Sequence, residues 1–82
     1  DHILDYMEVD ASHAIFEVEV PAEWIGKTVG GLDIRKRYNI NILAVKKEGE
    51  FTISISPDTY FAENNKLLVL GEYRDLQKCF RI

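Results

Sequence analysis

A guanidinium and a carboxamide lie close together in the stretch "LDIRKRYNINILAVKK", residues 32–47. Arg35 presents five donors in a flat fork that suits a phosphate group. Asn41 offers a donor and an acceptor together, which suits a purine edge or a ribose hydroxyl. Apolar walls around them are supplied by Val29, Ile34, Ile40 and Ile42. The combination is typical of a site for a small amphipathic anion such as a nucleotide.

A purely structural interpretation of the same two side chains is also open. Arg35 can pair with Asp33 or Glu23 on the surface, where an ion pair contributes little to stability. Asn41 can cap the preceding helix or meet a neighbouring carbonyl group. From spacing alone this is the simpler interpretation, so the nucleotide site needs further support.

Other reactive residues do not form a recognisable catalytic or metal site. The sequence contains no G-x-S-x-G, no phosphate-binding G-x-x-x-x-G-K-S/T and no G-x-G-x-x-G motif. Asp10 and His13 can share a loop, but two ligands are too few for zinc. Cys79 is the single cysteine, and we expect it on a helix facing the core. Nothing assembles an acid, a base and a nucleophile, so we predict that the chain is not an enzyme.

The charge balance argues against a nucleic-acid binder. The formal net charge is -4, from 14 acidic and 10 basic residues, whereas nucleic-acid-binding domains carry a basic stripe. Basic residues do cluster locally between residues 35 and 47, mostly as a solvated face. No apolar run approaches the roughly 20 residues that span a bilayer, so we predict no direct membrane insertion.

Periodicity predicts a single α+β domain in residues 11–82, preceded by a linker or N-terminal helix segment in residues 1–10. Alternating apolar residues predict a first strand over 14–20, ended by Pro21. The remaining predicted elements are a short helix over 32–39, strands over 40–47, 51–56 and 66–72, and a helix over 73–82. This order predicts a small mixed or antiparallel sheet with helices on one side.

The order and spacing of several short segments resemble a known family. The run from "VEVPAEWIGKTVGGLDIRKRYNINILAVKKEGE" through "SPDTYFAENNKLLVLGEYRDLQKC" is similar to the C-terminal regulator-of-potassium-conductance domain, called RCK_C or TrkA-C. The similarity covers residues 14–80, and the residues before it resemble the link from the nucleotide-binding half of KtrA-like subunits. The resemblance implies an RCK_C homodimer and a piece of a longer protein.

The resemblance also implies a function and a ligand. In the KtrA-like branch, the domain belongs to a cytosolic gating subunit of a potassium uptake channel, and cyclic di-AMP bound in the dimer cleft inhibits transport. By position, Arg35 would contact a phosphate and Asn41 an adenine or ribose edge. The base pocket would be lined by Val29, Gly30, Ile34, Ile40 and Pro57. Two of these depart from the family pattern, since Gly30 replaces a bulky aliphatic residue and Ile40 a histidine found in some relatives.

The implied partners are a second copy of the chain and a membrane potassium channel subunit, which would hold it at the cytoplasmic face of the membrane. No cofactor, metal or nucleic acid is expected besides the ligand. Alternative functions are a ligand-free dimerisation and coupling module, and a cation sensor that uses Glu17, Glu19 or Asp10. An antiporter or another carrier with the same domain is a further alternative.

Overall fold

The computed structural model describes residues 3–82, which form one five-stranded sheet covered by short helices. The strands are β1 (Ile3–Glu8), β2 (His13–Glu19), β3 (Ile40–Lys47), β4 (Glu50–Thr52) and β5 (Lys66–Glu72). The helices are a 3-10 turn (Ala22–Trp24), α1 (Val29–Leu32), α2 (Ile34–Tyr38) and α3 (Tyr73–Phe80). All strand pairs are antiparallel in the order β1-β2-β5-β3-β4, which confirms the predicted α+β class.

The linker or helix predicted for residues 1–10 is wrong where the structure describes this segment, because residues 3–8 form strand β1; Asp1 and His2 lie outside the described residues. The cause is a tight turn that folds β1 back on β2. Asp10 Oδ1 accepts the backbone N–H groups of Ser12 and His13 at 2.9 and 2.8 Å. The ring of Tyr6 then meets Phe16 edge-on, with 6.0 Å between centroids.

The predicted hairpin after β3 is confirmed, but the strand that follows it is shorter than predicted. Glu48 and Gly49 take φ values of 51° and 84°, as a two-residue hairpin turn requires. β4 ends at Thr52, and residues 53–56 leave the sheet instead of completing the predicted strand over 51–56. Thr59 Oγ1 accepts the Ser56 N–H at 2.9 Å, so the chain bends into a loop.

The helix predicted over 32–39 is two short helices, because Asp33 adopts a left-handed conformation between α1 and α2. Its φ of 53° and ψ of 51° interrupt the helical path. The predicted end near Asn39 is confirmed, since Asn39 is also left-handed, at φ 58° and ψ 39°. These two bends direct α2 straight into β3, with one residue between them.

The core lies between one face of the sheet and the helices, as predicted. Alternate residues of β2 and β5 are buried on this face, and Leu76 and Phe80 of α3 cover them. Trp24 forms the centre of an aromatic cluster with Tyr38, Phe61 and Phe80 at centroid distances of 5.6–5.7 Å. The longest helix in residues 3–82 is α3, with eight residues, and no helix there can span a membrane.

Candidate functional site

Arg35 is exposed in the first turn of α2. Its side chain forms no hydrogen bond or ion pair with residues 3–82. Neither of the two acidic residues considered as its partners, Asp33 and Glu23, forms an ion pair with it. The Glu23 carboxylate lies 3.7 Å from the Arg81 guanidinium instead. The next two residues, Lys36 and Arg37, are also exposed and basic, so α2 carries a local positive charge on an acidic chain. Arg35 is therefore available to an external anion.

Asn41 is exposed on β3, beyond the bend that ends α2. It does not cap the helix, because Asn39 fills that position. The Asn39 N–H donates to the Arg35 carbonyl at 3.0 Å, and its side-chain amide donates to Asp75 Oδ2 at 3.0 Å. The sequence predicts the helix end at Asn39 but not this link between α2 and α3, because Asp75 is 36 residues away and local patterns do not indicate such a contact. Asn41 forms no side-chain hydrogen bond to any described residue, so it also remains available.

Val29, Gly30 and Pro57 are brought together by backbone hydrogen bonds between α1 and the loop after β4. The Gly30 N–H donates to the Pro57 carbonyl at 2.8 Å, and the Val29 N–H donates to the Thr59 carbonyl at 2.9 Å. A Cβ atom on Gly30 would lie 2.9 Å from both the Cβ and the carbonyl oxygen of Pro57. We call this contact the Gly30–Pro57 clasp. It explains why a glycine stands here, since a larger residue would displace the loop.

The N-terminus of α1 offers no free donor for a phosphate. The N–H groups of Val29 and Gly30 donate to the carbonyl oxygens of the loop after β4, as described above. The Gly31 N–H donates to Thr28 Oγ1 at 3.0 Å. The glycine pair therefore serves packing and capping, and is not a phosphate-binding loop. Any anion bound near this helix must use side chains, and Arg35 is the nearest cation that follows α1 in the sequence.

Ile34 and Ile40 are located in the core and not on the surface. Their exposed fractions are 2% and 0%, and both belong to the main hydrophobic cluster. The single chain therefore presents no surface of either residue to a base, which corrects the prediction that both line the base pocket. The predicted set divides into exposed groups at Gly30, Arg35, Asn41 and Pro57, half-buried Val29, and two buried isoleucines.

Two grooves on the described surface have linings that include none of these residues, although the second contains Ser56 and Asp58 on either side of Pro57. One, of about 520 Å³, is lined by residues that include Pro21, Cys79 and Arg81. The other, of about 370 Å³, lies beside Lys47 and Tyr60. Burial raises the pKa of the Cys79 thiol to about 12, so it stays protonated at neutral pH and is a packing residue. Neither Arg35 nor Asn41 lines either of these two grooves.

The acidic residues considered for a cation site are engaged elsewhere. Glu17 lies 3.7 Å from Lys46, and Asp10 accepts hydrogen bonds from its own turn. Within residues 3–82, no group of three or more histidine, cysteine or acidic residues is placed to hold a metal ion. The Asp10 carboxylate also lies 2.9 Å from His13 Nδ1, so the pair predicted to share a loop does so as part of the hairpin turn.

This turn predicts a dependence of stability on acid. The Ser12 N–H, then the side chain and N–H of His13, lower the pKa of Asp10 from 3.8 to about 2. The unfolded carboxyl group binds a proton more readily than the folded one, so the stabilisation is complete above about pH 4 and is lost as pH falls through about 2. We expect Asp10→Asn to flatten the change of melting temperature between pH 4 and pH 2.

Melting curves from pH 2 to pH 5 measure this effect. The control is Asp58→Asn, which removes an exposed carboxylate that accepts no hydrogen bond from the described chain. That variant is expected to keep the slope of the parent protein. Equal slopes for the parent and Asp10→Asn would contradict the role of the turn.

A comparison with protein families identifies the domain. A family model of the TrkA-C domain matches residues 13–82, which include every predicted site residue and leave β1 outside. The chain belongs to the TrkA-C domain family. The predicted resemblance is thereby confirmed, and so is the prediction that the chain is not an enzyme, because these domains are regulatory.

Curated relatives of this TrkA-C domain come from potassium transport systems of Bacillus subtilis (strain 168). It is 31% identical over 78 residues to the Ktr system potassium uptake protein C, covering 95% of this chain and 35% of that protein. It is 36% identical over 64 residues to the K(+)/H(+) antiporter subunit KhtT, covering 77% of this chain and 39% of that subunit. The chain therefore spans just over a third of each relative.

A solved structure also matches the TrkA-C domain. It is the RCK C domain of the potassium transport protein KtrA in complex with cyclic di-AMP. The two folds superpose with a TM-score of 0.78 at 33% identity, covering 84% of this chain and 81% of the other. The fold predicted from the family resemblance is thereby confirmed.

Proposed function

We propose that this domain regulates a potassium uptake system, and that two copies bind one cyclic di-AMP between them and thereby inhibit transport. The observation that carries the proposal is the pair of exposed side chains Arg35 and Asn41 at the junction of α2 and β3, neither of which has a hydrogen-bond or ion-pair partner among residues 3–82. They occur in a chain that is 33% identical to a KtrA domain in complex with this ligand.

Each proposed contact follows from the chemistry of the side chain. Arg35 donates to a phosphate oxygen, a charge-assisted bond that needs a guanidinium without another partner. Asn41 pairs with an adenine or ribose edge. Val29, Gly30 and Pro57 supply the wall against which a base lies, and the clasp keeps them together. Ile34 and Ile40 are core residues and make no direct contact with the ligand in this proposal.

Symmetry makes a dimer the natural receptor. A two-fold dimer presents each group twice at self-complementary positions. Cyclic di-AMP has two phosphates and two adenines related by its own two-fold, so two copies of Arg35 meet two phosphates. One chain alone offers half a site on an open surface, and ligand binding and dimer formation therefore stabilise each other.

Regulation follows if the ligand prefers one arrangement of the two domains. A ligand shifts such an equilibrium only by the difference between its affinities for the two states. In our proposal the full-length protein is cytoplasmic and contacts a membrane potassium channel subunit, and the dimer transmits its arrangement to that subunit. Nucleic acid and the lipid bilayer play no part in it.

Binding measurements on the parent chain and on Arg35→Ala test the proposal. We expect the substitution to weaken cyclic di-AMP binding by about 1.5–3 kcal/mol, the range for hydrogen bonds to charged groups, or about 10- to 150-fold. Isothermal titration calorimetry measures the affinity directly. The matched control is Lys36→Ala, which removes an exposed positive charge from the same helix and is expected to bind within about threefold of the parent.

Two results would count against the proposal. Equal affinity for the parent and Arg35→Ala would remove the assigned role of Arg35. Absence of any heat or thermal shift from cyclic di-AMP with the parent chain would remove the ligand, and would leave the ligand-free coupling module as the function.

The similarity to KhtT supports a second transporter class, namely a K⁺/H⁺ antiporter regulated by the same kind of domain. The full-length protein distinguishes the two. Restored growth of a potassium-uptake mutant at low potassium supports an uptake system. Increased tolerance of high external potassium supports an antiporter instead.

A further inference from the structure

The bend between α2 and β3 determines how Arg35 and Asn41 stand relative to each other. The two residues lie six positions apart, one in the helix and one in the strand, and Asn39 occupies the bend between them. The left-handed backbone of Asn39, at φ 58° and ψ 39°, turns the end of the helix into the strand. A change in either angle would swing one side chain relative to the other. A group that fixes Asn39 therefore fixes the geometry of both proposed ligand contacts.

Asp75 holds the side chain of Asn39 from a distant part of the sequence. The Asn39 amide donates to Asp75 Oδ2 at 3.0 Å, and the two residues are 36 positions apart. The other side-chain hydrogen bonds among residues 3–82 join residues at most three positions apart. The contact therefore joins the bend to α3 and is not part of a local turn.

Asp75 stands on a helix that is itself anchored. The Tyr73 N–H donates to the Ser12 carbonyl at 2.9 Å, so the start of α3 is bonded to the turn between β1 and β2. Leu76, the next residue after Asp75, is 0% exposed and belongs to the hydrophobic core. Asn39, in contrast, is exposed at the end of a five-residue helix. The anchored partner in this contact is thus Asp75, and the group that it restrains is Asn39.

The backbone beside Asn39 also lies close to the strand that leads into α3. Gly71 of β5 pairs with Ile40 of β3. A Cβ atom on Gly71 would lie 3.0 Å from Ile40 Cγ2 and 3.6 Å from the Asn39 carbonyl oxygen. Because Gly71 has no side chain, the start of β3 packs closely against β5. This close approach brings Asn39 within reach of Asp75, four residues further along the chain.

We infer that Asp75 is a positioning residue for the cyclic di-AMP site and acts through Asn39, an inference that rests on the proposed function. Asp75 does not touch the ligand in this arrangement. It holds the bend, and the bend keeps Arg35 directed at a phosphate while Asn41 faces a base or ribose edge. A site that is held in its binding geometry before the ligand arrives loses less conformational freedom on binding, so its affinity is higher.

Loss of the acceptor at Asp75 lowers the fraction of molecules whose bend has the binding geometry. The apparent dissociation constant rises in proportion as this fraction falls. The net strength of one hydrogen bond corresponds to a change of about five- to tenfold in such a fraction. A loss of ligand affinity of this size is therefore expected when the bond is removed.

Charge alone predicts the opposite result for Asp75. Cyclic di-AMP is an anion, and a carboxylate near its site repels it. Removal of that carboxylate would strengthen ligand binding if electrostatic repulsion were its main effect. Weaker binding after the removal therefore identifies the lost hydrogen bond as the cause.

Calorimetric titrations with cyclic di-AMP test the inference. Asp75→Ala removes the acceptor and is expected to bind about five- to tenfold more weakly than the parent. Asp75→Asn removes the charge but keeps an oxygen that accepts from Asn39, and is expected to bind within about twofold of the parent. The control is Glu63→Ala, which removes another exposed carboxylate that has no hydrogen bond or ion pair within residues 3–82, and which is expected to bind like the parent.

A second substitution tests whether Asp75 acts through Asn39. Asn39→Gly keeps a residue that adopts the left-handed bend readily but removes the amide donor, and we expect about tenfold weaker binding or more. The double variant with Asp75→Ala is expected to bind no more weakly than Asn39→Gly alone, because both changes remove the same bond. If Asp75 only stabilised α3, its loss would lower the melting temperature and leave the ligand affinity unchanged. Melting curves verify that each variant is folded at the temperature of titration.

The inference is overturned if Asp75→Ala binds like the parent or if Asp75→Asn binds as weakly as Asp75→Ala. It is also overturned if the losses of Asp75→Ala and Asn39→Gly add in the double variant. Each of these results leaves the proposed function intact when the parent binds cyclic di-AMP and Arg35→Ala binds it more weakly. Absence of binding by the parent overturns both.

Discussion

Phe61→Ala is expected to lower the free energy of unfolding by about 3–5 kcal/mol, the range for removing a buried aromatic ring. Phe61 is 0% exposed, and its ring centroid lies 5.6 Å from that of Trp24. Its backbone bonds to both Gly26 and Lys27, so the residue also anchors the loop before β5 to the turn after the 3-10 helix. The cavity would open beside Trp24, within the aromatic cluster.

The effect is large for a domain of 82 residues, whose total stability lies at the lower end of about 5–15 kcal/mol. We expect the melting temperature to fall by about 15–30 °C. Urea unfolding and thermal melts at one fixed protein concentration measure it, because dimerisation makes stability depend on concentration. The control is Tyr60→Ala, at the adjacent residue, which is 51% exposed and is expected to change stability by less than about 1 kcal/mol. Similar losses for both variants would contradict the central role of Phe61.

Phe61 also marks the limit of what the sequence predicts about the core. β2, β5 and α3 follow from regular spacing, because each buries one face over seven or eight residues. Phe61 lies in a loop, where apolar residues do not recur at regular intervals. The residues around it in the sequence do not indicate that Phe61 is buried and Tyr60 exposed. The sequence predicts a helix or linker in place of β1 because the loose apolar spacing there does not distinguish a helix from a strand. Only the Asp10 turn, which requires β2 as a partner, decides between them.

For the predicted site residues, the sequence indicates the exposure of the polar groups and does not indicate the burial of the isoleucines. Side-chain chemistry makes Arg35 and Asn41 candidates, and the family resemblance is what favours them as ligand contacts; their exposure is the part that the structure shows. Ile34 and Ile40 are two of many apolar residues, and their orientation towards the core depends on the left-handed bends at Asp33 and Asn39. The registers that place Asn41 beside Leu70 are set by long-range pairing, which local patterns do not encode.

The Gly30–Pro57 clasp is also a contact between residues far apart in the sequence, which local patterns do not indicate. Gly30→Val is expected to break it. The clash would be with backbone atoms, because the new Cβ would lie 2.9 Å from the Pro57 carbonyl oxygen and 3.3 Å from its Cα. The loop must move, and the 2.8 Å hydrogen bond from the Gly30 N–H is strained or lost with it. Overpacking and one lost hydrogen bond together give an expected loss of about 2–4 kcal/mol in the free energy of unfolding.

The matched control is Gly31→Val, at the next residue of the same helix. Both substitutions replace glycine by valine in α1, so the small gain in helix propensity cancels between them. The Gly31 Cβ would meet only Thr28 Oγ1, at 3.0 Å, and the expected loss is about 1 kcal/mol, that of the helix cap. Urea unfolding separates the two variants. Equal losses would show that the cap, and not the clasp, accounts for the cost at Gly30.

The same pair of variants connects stability to the proposed site. Pro57 and Val29 would no longer form one wall once the loop has moved, although Arg35 and Asn41 would keep their places at the start of α2 and β3. Gly30→Val is therefore expected to weaken cyclic di-AMP binding under conditions in which calorimetry shows the domain still folded, whereas Gly31→Val binds like the parent. Unchanged affinity in a folded Gly30→Val variant would mean that the bases rest on a different surface of the dimer.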